Sequence, residues 1–141
     1  MQEFIIYTDG GYSTSKNVGA GAYVILKSDG TTLVEKKAFV LRNETSQRAE
    51  LLAILAAVNA LPYRCSAKIK TDNLAAALGL GKAPRRRNQP DVDLLFSYKN
   101  LIREQKLRIE IEWVRGHSGH PFNELCDNLC TEALARAEEE L

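Results

Sequence analysis

Residues 3–11 have the sequence EFIIYTDGG, in which an apolar run rich in strand-forming residues is followed by an acid and two glycines. This pattern predicts a strand over Glu3–Thr8 that ends at Asp9, with the glycines permitting a sharp turn or a bulge. Residues 20–27 and 32–41 are two further strand candidates, and the Asp-Gly turn between them predicts an antiparallel pairing. The first part of the chain is therefore expected to form an antiparallel meander with a carboxylate at the end of its first strand.

Beyond the meander, the pattern changes to helices that alternate with strands. Alanine and leucine dominate residues 46–60, which predicts a helix, while residues 67–71 predict a strand that leads into a brief helix. Residues 91–105 and a last segment from about Pro121 predict two more helices, with a strand over 107–114 between them. This order implies an α/β fold in which helices pack on the faces of a mixed sheet.

Length and composition limit the possible classes of protein. A chain of 141 residues can bury one sizeable core and hardly two, so we expect a single domain over residues 1–141. No stretch approaches the roughly 20 apolar residues that span a bilayer, no secretory leader is evident, and three cysteines suit a reducing compartment, so we expect a cytoplasmic protein. A formal net charge of +1 excludes a whole-surface polyanion binder and confines any nucleic-acid contact to a local patch.

Four acids stand where metal chemistry would need them. Asp9 and Asp72 each follow a predicted strand, and their carboxylates emerge side by side if these strands are parallel neighbours. Adjacent carboxylates repel each other and raise a pKa or require a cation, and such hard oxygen ligands suit Mg²⁺. Glu50 and Asp127 each lie in line with the apolar face of a predicted helix. Taken singly, each acid has an ordinary role available, such as a turn, a cap or an ion pair, so only the set of four indicates a site.

Four blocks of the sequence resemble the type 1 ribonuclease H family. The blocks are YTDG at residues 7–10, TSQRAE at 45–50, TDN at 71–73, and WVRGHSGH at 113–120 followed by Asn123 and Asp127. They occur in the family's order along nearly the whole chain, which makes the match specific. The resemblance implies a ribonuclease H-like five-stranded mixed sheet with helices on both faces. It also indicates a short form that lacks the basic protrusion of many relatives and has no hybrid-binding domain attached.

The same resemblance implies an activity and a cofactor. The activity is endonucleolytic hydrolysis of the RNA strand of an RNA–DNA hybrid with two Mg²⁺ ions, for which Mn²⁺ can substitute. One ion would activate the attacking water and the other would stabilise the departing 3′ oxygen, leaving 5′-phosphate and 3′-hydroxyl ends. The catalytic metal ligands that the family implies coincide with the acids found above: Asp9, Glu50, Asp72 and Asp127. We expect the hybrid to be the partner, with no membrane and no obligatory protein partner, and we expect a monomer.

Two histidines follow the last predicted strand. The resemblance assigns His117, in a glycine-bounded loop, a role in proton movement or product departure, whereas a lone loop histidine would be an ordinary surface residue. His120 immediately precedes Pro121 and is expected to anchor the start of the last helix.

Contacts to the substrate are also implied by the resemblance. Family members read the minor groove of the hybrid, where a 2′-hydroxyl marks RNA, and the matching positions are Asn17, Ser46 and Gln47. Thr45 matches a position that binds a DNA-strand phosphate. The arginine and asparagine often found with it are replaced here by Asn43 and Asp91, and an aspartate facing a phosphate is unfavourable.

A basic loop lies between the fourth strand and the third helix. It contains three consecutive arginines, Arg85, Arg86 and Arg87. The loop either contributes salt-dependent phosphate contacts or is an ordinary solvated segment, and the sequence favours neither.

Three other interpretations stay open at the level of sequence. Two histidines and two cysteines could form a structural zinc site, although that pattern ignores most of the acids: His117, His120, Cys126 and Cys130. A non-catalytic hybrid-binding protein is opposed by the presence of all four acids, since a pure binder gains nothing from clustered charge. The third is the ribonuclease H portion of a reverse transcriptase or another nuclease of the superfamily, although the ends of the sequence resemble those of a free-standing domain.

Overall fold

The computed structural model describes residues 1–80, 91–115 and 120–140, so the predictions for His117 and for the three arginines of the basic loop lie outside the described residues. The helices and strands of the described part are β1 (Glu3–Ser13), β2 (Val18–Lys27), β3 (Leu33–Arg42), α1 (Ser46–Asn59), β4 (Ser66–Thr71), α2 (Leu74–Gly79), α3 (Val92–Gln105), β5 (Arg108–Trp113) and α4 (Pro121–Glu139). This order is the one predicted from the sequence. None of the described helices combines the length and the apolar composition needed to cross a membrane.

The five strands form one mixed sheet in the order β3-β2-β1-β4-β5. β2 pairs antiparallel with both β1 and β3, whereas β4 runs parallel to both β1 and β5. The parallel register joins Glu3 to Ser66 and Tyr7 to Lys70, and the same offset puts Asp9 level with Asp72. The predicted fold class is therefore confirmed, and the first and fourth strands are parallel neighbours, which is the condition under which Asp9 and Asp72 were expected to emerge side by side.

Helices cover both faces of this sheet. On one face α1 packs against the sheet and α3 packs against α1, and Ile6 and Ile54 are fully buried in the core that they form. On the other face α4 lies across the meander, where Val24 and Cys126 are fully buried. Because side chains alternate along a strand, Ile6 and Tyr7 enter different layers. Each large aliphatic side chain buried in this way contributes about 1.5–3 kcal/mol.

β1 is longer than the sequence predicts. The prediction that this strand ends at Asp9 is wrong, because both following glycines continue the antiparallel pairing with β2 as far as Ser13. Gly10 is needed for a different reason than a turn. A Cβ at Gly10 would lie 2.6 Å from the carbonyl carbon of Ala49 and 2.6 Å from the amide nitrogen of Glu50. The glycine therefore lets the main chain of α1 touch β1, which brings Glu50 to the sheet.

We expect Gly10→Ala to lower the free energy of unfolding by about 1–3 kcal/mol, because the added methyl group would overlap the main chain of α1. Urea denaturation measures this change. Gly11→Ala is the matched control, since a Cβ there would lie 3.9 Å from Cys130 Sγ, an ordinary contact. Equal stability of the two variants would contradict the close approach of α1 to β1.

Candidate active site

Three carboxylates meet where β1, β4 and α4 come together. Asp9 lies in β1, Asp72 directly follows β4, and Asp127 lies in α4. One carboxylate oxygen from each lies within 4.8 Å of the other two, and all three side chains are half-buried. Negative charges at such short distances repel each other strongly unless a proton or a cation lies between them.

Glu50 reaches the same cluster from α1. Burial, followed by the charges of Asp9 and Asp72, raises the pKa of Glu50 to about 9, although a hydrogen bond from the Gly10 amide opposes the shift. The Oε2 atom of Glu50 is buried and has no hydrogen-bond partner in the described part of the chain. A buried carboxylate oxygen without a donor is costly, so this atom lacks what a proton or a cation would supply.

The pKa of Asp9 is raised by the same kinds of cause as that of Glu50. Burial, followed by the charges of Asp127 and Asp72, raises the pKa of Asp9 to about 7, and Asp127 also shares a hydrogen bond with it. A hydrogen bond between two carboxyl groups requires one proton between them. Without a cation, the cluster therefore retains protons near neutral pH, and a divalent ion that binds there would displace them.

The donor set fits a hard divalent cation. All four side chains offer carboxylate oxygens, the ligands that Mg²⁺ and Mn²⁺ prefer, and they come from four separate elements of the fold. Mg²⁺ usually keeps several waters and uses only a few protein carboxylates, which suits acids that are half-buried rather than sealed. The structure thus brings three of the acids singled out in the sequence within 4.8 Å of one another, and the fourth, Glu50, lies close enough for their charges to raise its pKa.

Asp72 is supported by two neighbouring residues, Asn73 and Trp113, to which the sequence analysis assigned no role. Asn73 caps α2 by accepting a hydrogen bond from the amide of Ala76 (2.7 Å), and its Nδ2 donates to Gln47 Oε1 (3.2 Å). Trp113 donates from its indole Nε1 to the main-chain carbonyl oxygen of Asp72 (3.1 Å). Both residues stand in the motif blocks quoted above, so the signal was present, but their contacts depend on the tertiary structure.

The candidate substrate residues of α1 lie at its N-terminus. Thr45 is the N-cap, and its hydroxyl accepts a hydrogen bond from the amide of Arg48 (3.2 Å). Ser46 is exposed in the first turn, and Gln47 is half-buried and bonded to Asn73. This helix end therefore adjoins the segment that carries Asp72.

Asn17 is tied to the same region by a small polar network. It lies between β1 and β2 with a left-handed backbone (φ 54°), and its Nδ2 donates to Asn43 Oδ1 (2.6 Å). The hydroxyl of Tyr12 donates to Asn17 Oδ1 and accepts from the amide of Glu44. The β1–β2 turn is thereby linked to the segment that enters α1.

The guanidinium of Arg48 is surrounded by carboxylates. It donates two hydrogen bonds to Asp93 (both 2.9 Å), one to Glu44 (2.7 Å) and one to Asp91 (3.2 Å), and these contacts, that with Asp93 foremost, raise its pKa. Asp91 is the N-cap of α3 in a left-handed conformation and makes no capping hydrogen bond. Among the described residues, three acids around one base leave this corner with a net negative charge.

His120 and two cysteines hold α4 to the sheet. The Nε2 atom of His120, the N-cap of α4, is hydrogen-bonded to the hydroxyl of Tyr7 (3.0 Å), and the two rings stack. The Sγ of Cys126 contacts the carbonyl oxygens of Tyr7 and of a β2 residue, and that of Cys130 contacts another β2 carbonyl. Burial raises the pKa of both thiols, to about 12 for Cys130. Buried, protonated thiols that donate to the sheet do not favour the zinc interpretation, because zinc binds thiolates.

Comparison with solved structures defines the class of fold. The N-terminal RNase H domain of a Mycobacterium tuberculosis protein, solved as a fusion with maltose-binding protein, superimposes with a TM-score of 0.83 at 17% sequence identity, over 99% of both chains. The RNase H1 of the halophilic archaeon Halobacterium salinarum gives a TM-score of 0.75 at 20% identity, over 95% of this chain and 98% of that one. The described sheet and helices are those of the RNase H fold.

Comparison of sequences shows the family. The family model for RNase H matches residues 1–135. A ribonuclease H of Cupriavidus pinatubonensis is 32% identical, over 96% of this chain and 97% of that protein. A ribonuclease HI of Campylobacter jejuni is 28% identical, over 99% of this chain and 97% of that protein. The chain belongs to the RNase H family of nucleases and matches its short bacterial members along nearly their whole length.

The metal-free protein is expected to lose stability as the pH rises. Glu50 binds its proton more tightly in the folded chain (pKa about 9) than in the unfolded chain (pKa 4.5). Between these two pH values the folded state therefore binds more protons than the unfolded state. Stability is then lost between these two pH values, and Glu50→Gln should flatten the decline and raise stability near pH 8 by on the order of 1–3 kcal/mol. Urea denaturation in a chelator at several pH values measures this.

Glu132→Gln is the matched control for this experiment, since Glu132 is an exposed glutamate of α4. It should leave the pH dependence as in the wild type, and added Mg²⁺ should weaken the decline in the wild type. A pH dependence equally steep in Glu50→Gln would contradict the burial of Glu50 beside the other acids.

Proposed function

We propose that this protein hydrolyses the RNA strand of RNA–DNA hybrids as a metal-dependent endonuclease, with Mg²⁺ as the cofactor and Mn²⁺ able to replace it. The observation that carries the proposal is the convergence of three carboxylates, those of Asp9, Asp72 and Asp127, beside Glu50, whose pKa their charges raise and whose buried Oε2 has no donor in the described part of the chain. Membership of the RNase H family supports the substrate class. In this proposal Asp9, Glu50, Asp72 and Asp127 hold two ions.

The bound ions would supply an activated water and neutralise charge on the departing 3′ oxygen, which gives 5′-phosphate and 3′-hydroxyl ends. The residues of this chain supply the geometry. The parallel strands set Asp9 and Asp72 level with each other, and the amide of Gly10 orients Glu50 towards them. Asp127 joins the cluster from the opposite layer, so Asp9, Glu50 and Asp127 each lie within a different strand or helix, while Asp72 directly follows a strand.

The substrate face in this proposal is the N-terminal end of α1 with the β1–β2 turn. Its polar groups are those that the family resemblance implied for the minor groove and for one DNA phosphate: Asn17, Thr45, Ser46 and Gln47. Because Gln47 is bonded to Asn73, the residue after Asp72, a sugar bound at this face would lie beside the cluster. We also assign the basic loop, Arg85, Arg86 and Arg87, to phosphate contacts, each of which would add to the salt dependence of binding.

The proposal is tested with labelled RNA–DNA hybrid, double-stranded RNA and double-stranded DNA of one sequence, each incubated with the protein and Mg²⁺. We expect cleavage of the RNA strand of the hybrid alone and none in a chelator. Asp9→Asn and Asp72→Asn should abolish cleavage while keeping the fold, because each removes a charged metal ligand and relieves repulsion.

Asp29→Asn is the matched control, since Asp29 is an exposed aspartate of the β2–β3 turn. It should cleave at the wild-type rate. Wild-type activity in Asp9→Asn or Asp72→Asn would overturn the assignment of the four carboxylates. Tight binding of the hybrid without cleavage by the wild type would favour the non-catalytic alternative.

His117 is the proposed proton carrier, because the family motif places an imidazole close in sequence to the helix that bears Asp127. Proton transfer of this kind contributes about 10²–10⁴-fold when it occurs in the rate-limiting step. His117→Ala should therefore lower kcat by such a factor while KM for the hybrid stays nearly unchanged. Steady-state kinetics from about pH 6 to about pH 9 measure both, with Ser118→Ala as the neighbouring control. A kcat equal to that of the wild type across this range would make His117 an ordinary loop residue.

A further inference from the structure

Trp113 occupies an unusual position for a large aromatic residue. It is the single tryptophan of the sequence, it ends β5, and 46% of its surface is exposed. The one polar atom of its side chain, Nε1, donates to the main-chain carbonyl oxygen of Asp72 (3.1 Å), although the residue is exposed. A tryptophan that contributed only to the core would be more buried, and one that served only as a surface contact would not need this bond.

The hydrogen bond from Trp113 serves a carbonyl group, that of Asp72, that lies beyond the last pair of the β4–β5 ladder. The described ladder between β4 and β5 ends at the pair Thr71 and Trp113, and the amide of Val114 donates to the carbonyl oxygen of Thr71 (2.8 Å). The next carbonyl, that of Asp72, lies one residue past the paired strand. On its other side, Asn73 is fixed because its side chain caps α2. The indole of Trp113 therefore holds the carbonyl group of Asp72, which lies between Thr71, anchored by the sheet, and Asn73, anchored by its cap of α2.

We propose that Trp113 is a positioning residue that fixes the backbone of Asp72 and thereby the direction of its carboxylate, so that it sets the affinity of the cluster for divalent metal. This role rests on the function proposed above. The carboxylate of Asp72 must remain within 4.8 Å of those of Asp9 and Asp127, and a freed peptide at the strand end would let it turn away. Loss of a supporting contact of this kind typically lowers metal affinity by about 10–100-fold.

A different role for the exposed ring is stacking on the nucleic acid, which aromatic side chains do in many single-strand binders. The direction of the indole N–H favours positioning over stacking, because the bond is made within the protein before any substrate arrives. The two roles predict opposite patterns in binding. If Trp113 is a positioning residue, its substitution changes the affinity for metal and leaves the affinity for the hybrid in a chelator unchanged. If its ring stacks on the nucleic acid, loss of the ring lowers the affinity for the hybrid and leaves the affinity for metal unchanged.

The experiment uses Trp113→Phe, which keeps an aromatic ring and removes the N–H. Mn²⁺ is titrated into the metal-free wild type and the variant by calorimetry, and hybrid binding is measured in a chelator. We expect Mn²⁺ to bind about 10–100-fold more weakly to the variant, with hybrid affinity unchanged. Tyr63→Phe is the matched control, because it removes one polar group from an aromatic residue that is 57% exposed, and it should leave both affinities as in the wild type.

A measurement on Trp113 itself does not depend on the variant folding. The single indole N–H should give one resolved signal in a ¹⁵N-labelled sample, and Mg²⁺ should shift this signal in the wild type but not in Asp72→Asn. Equal Mn²⁺ affinity in Trp113→Phe and the wild type, or an indole signal of the wild type that does not shift when Mg²⁺ is added, would overturn the positioning role. Weaker hybrid binding by Trp113→Leu, which removes the ring, with unchanged Mn²⁺ affinity would overturn it in favour of stacking. If the wild type itself neither bound Mn²⁺ nor cleaved the hybrid, the proposed function would fail first and this role with it.

Discussion

The parallel pairing of β1 with β4 is the constraint on which the rest of the structure depends. Two parallel strands end at the same edge of a sheet, so this pairing sets Asp9 and Asp72 level with each other. The connection between parallel strands must cross over the sheet, and here that crossover contains α1, which carries Glu50. Because α1 occupies one face, α4 covers the other and adds Asp127 from the opposite layer. One pairing thus leads to a site built from both sides of the sheet.

The carboxylate cluster opposes folding rather than assisting it. Burial and mutual repulsion raise the pKa of Glu50 and of Asp9, and one oxygen of Glu50 is left without a donor in the described structure. Two separate apolar layers hold the surrounding frame in place despite this. Such unfavourable charge is characteristic of functional sites, because the same acids are stabilised when a cation binds.

The corner next to Thr45 shows how one fold can carry different electrostatics. Arg48 is paired with Glu44, Asp91 and Asp93, so its charge is satisfied within the protein. Among the described residues of this corner, an anion would meet more negative than positive charge, while the hydroxyl and main-chain groups at the start of α1 would favour it.

Local patterns in the sequence predicted the order of helices and strands, and the motif blocks singled out the four acids as a set. Apolar periodicity and capping residues act over a few positions, so they can be read without a fold. The continuation of β1 past Asp9 could not be read in this way, because Gly10 is required by contact with a helix about forty residues later along the chain. The bond from Trp113 to Asp72 joins residues 41 positions apart, and the raised pKa of Glu50 depends on three other elements. Only the tertiary structure decides these features, because each arises from groups that are distant in the chain and adjacent in space.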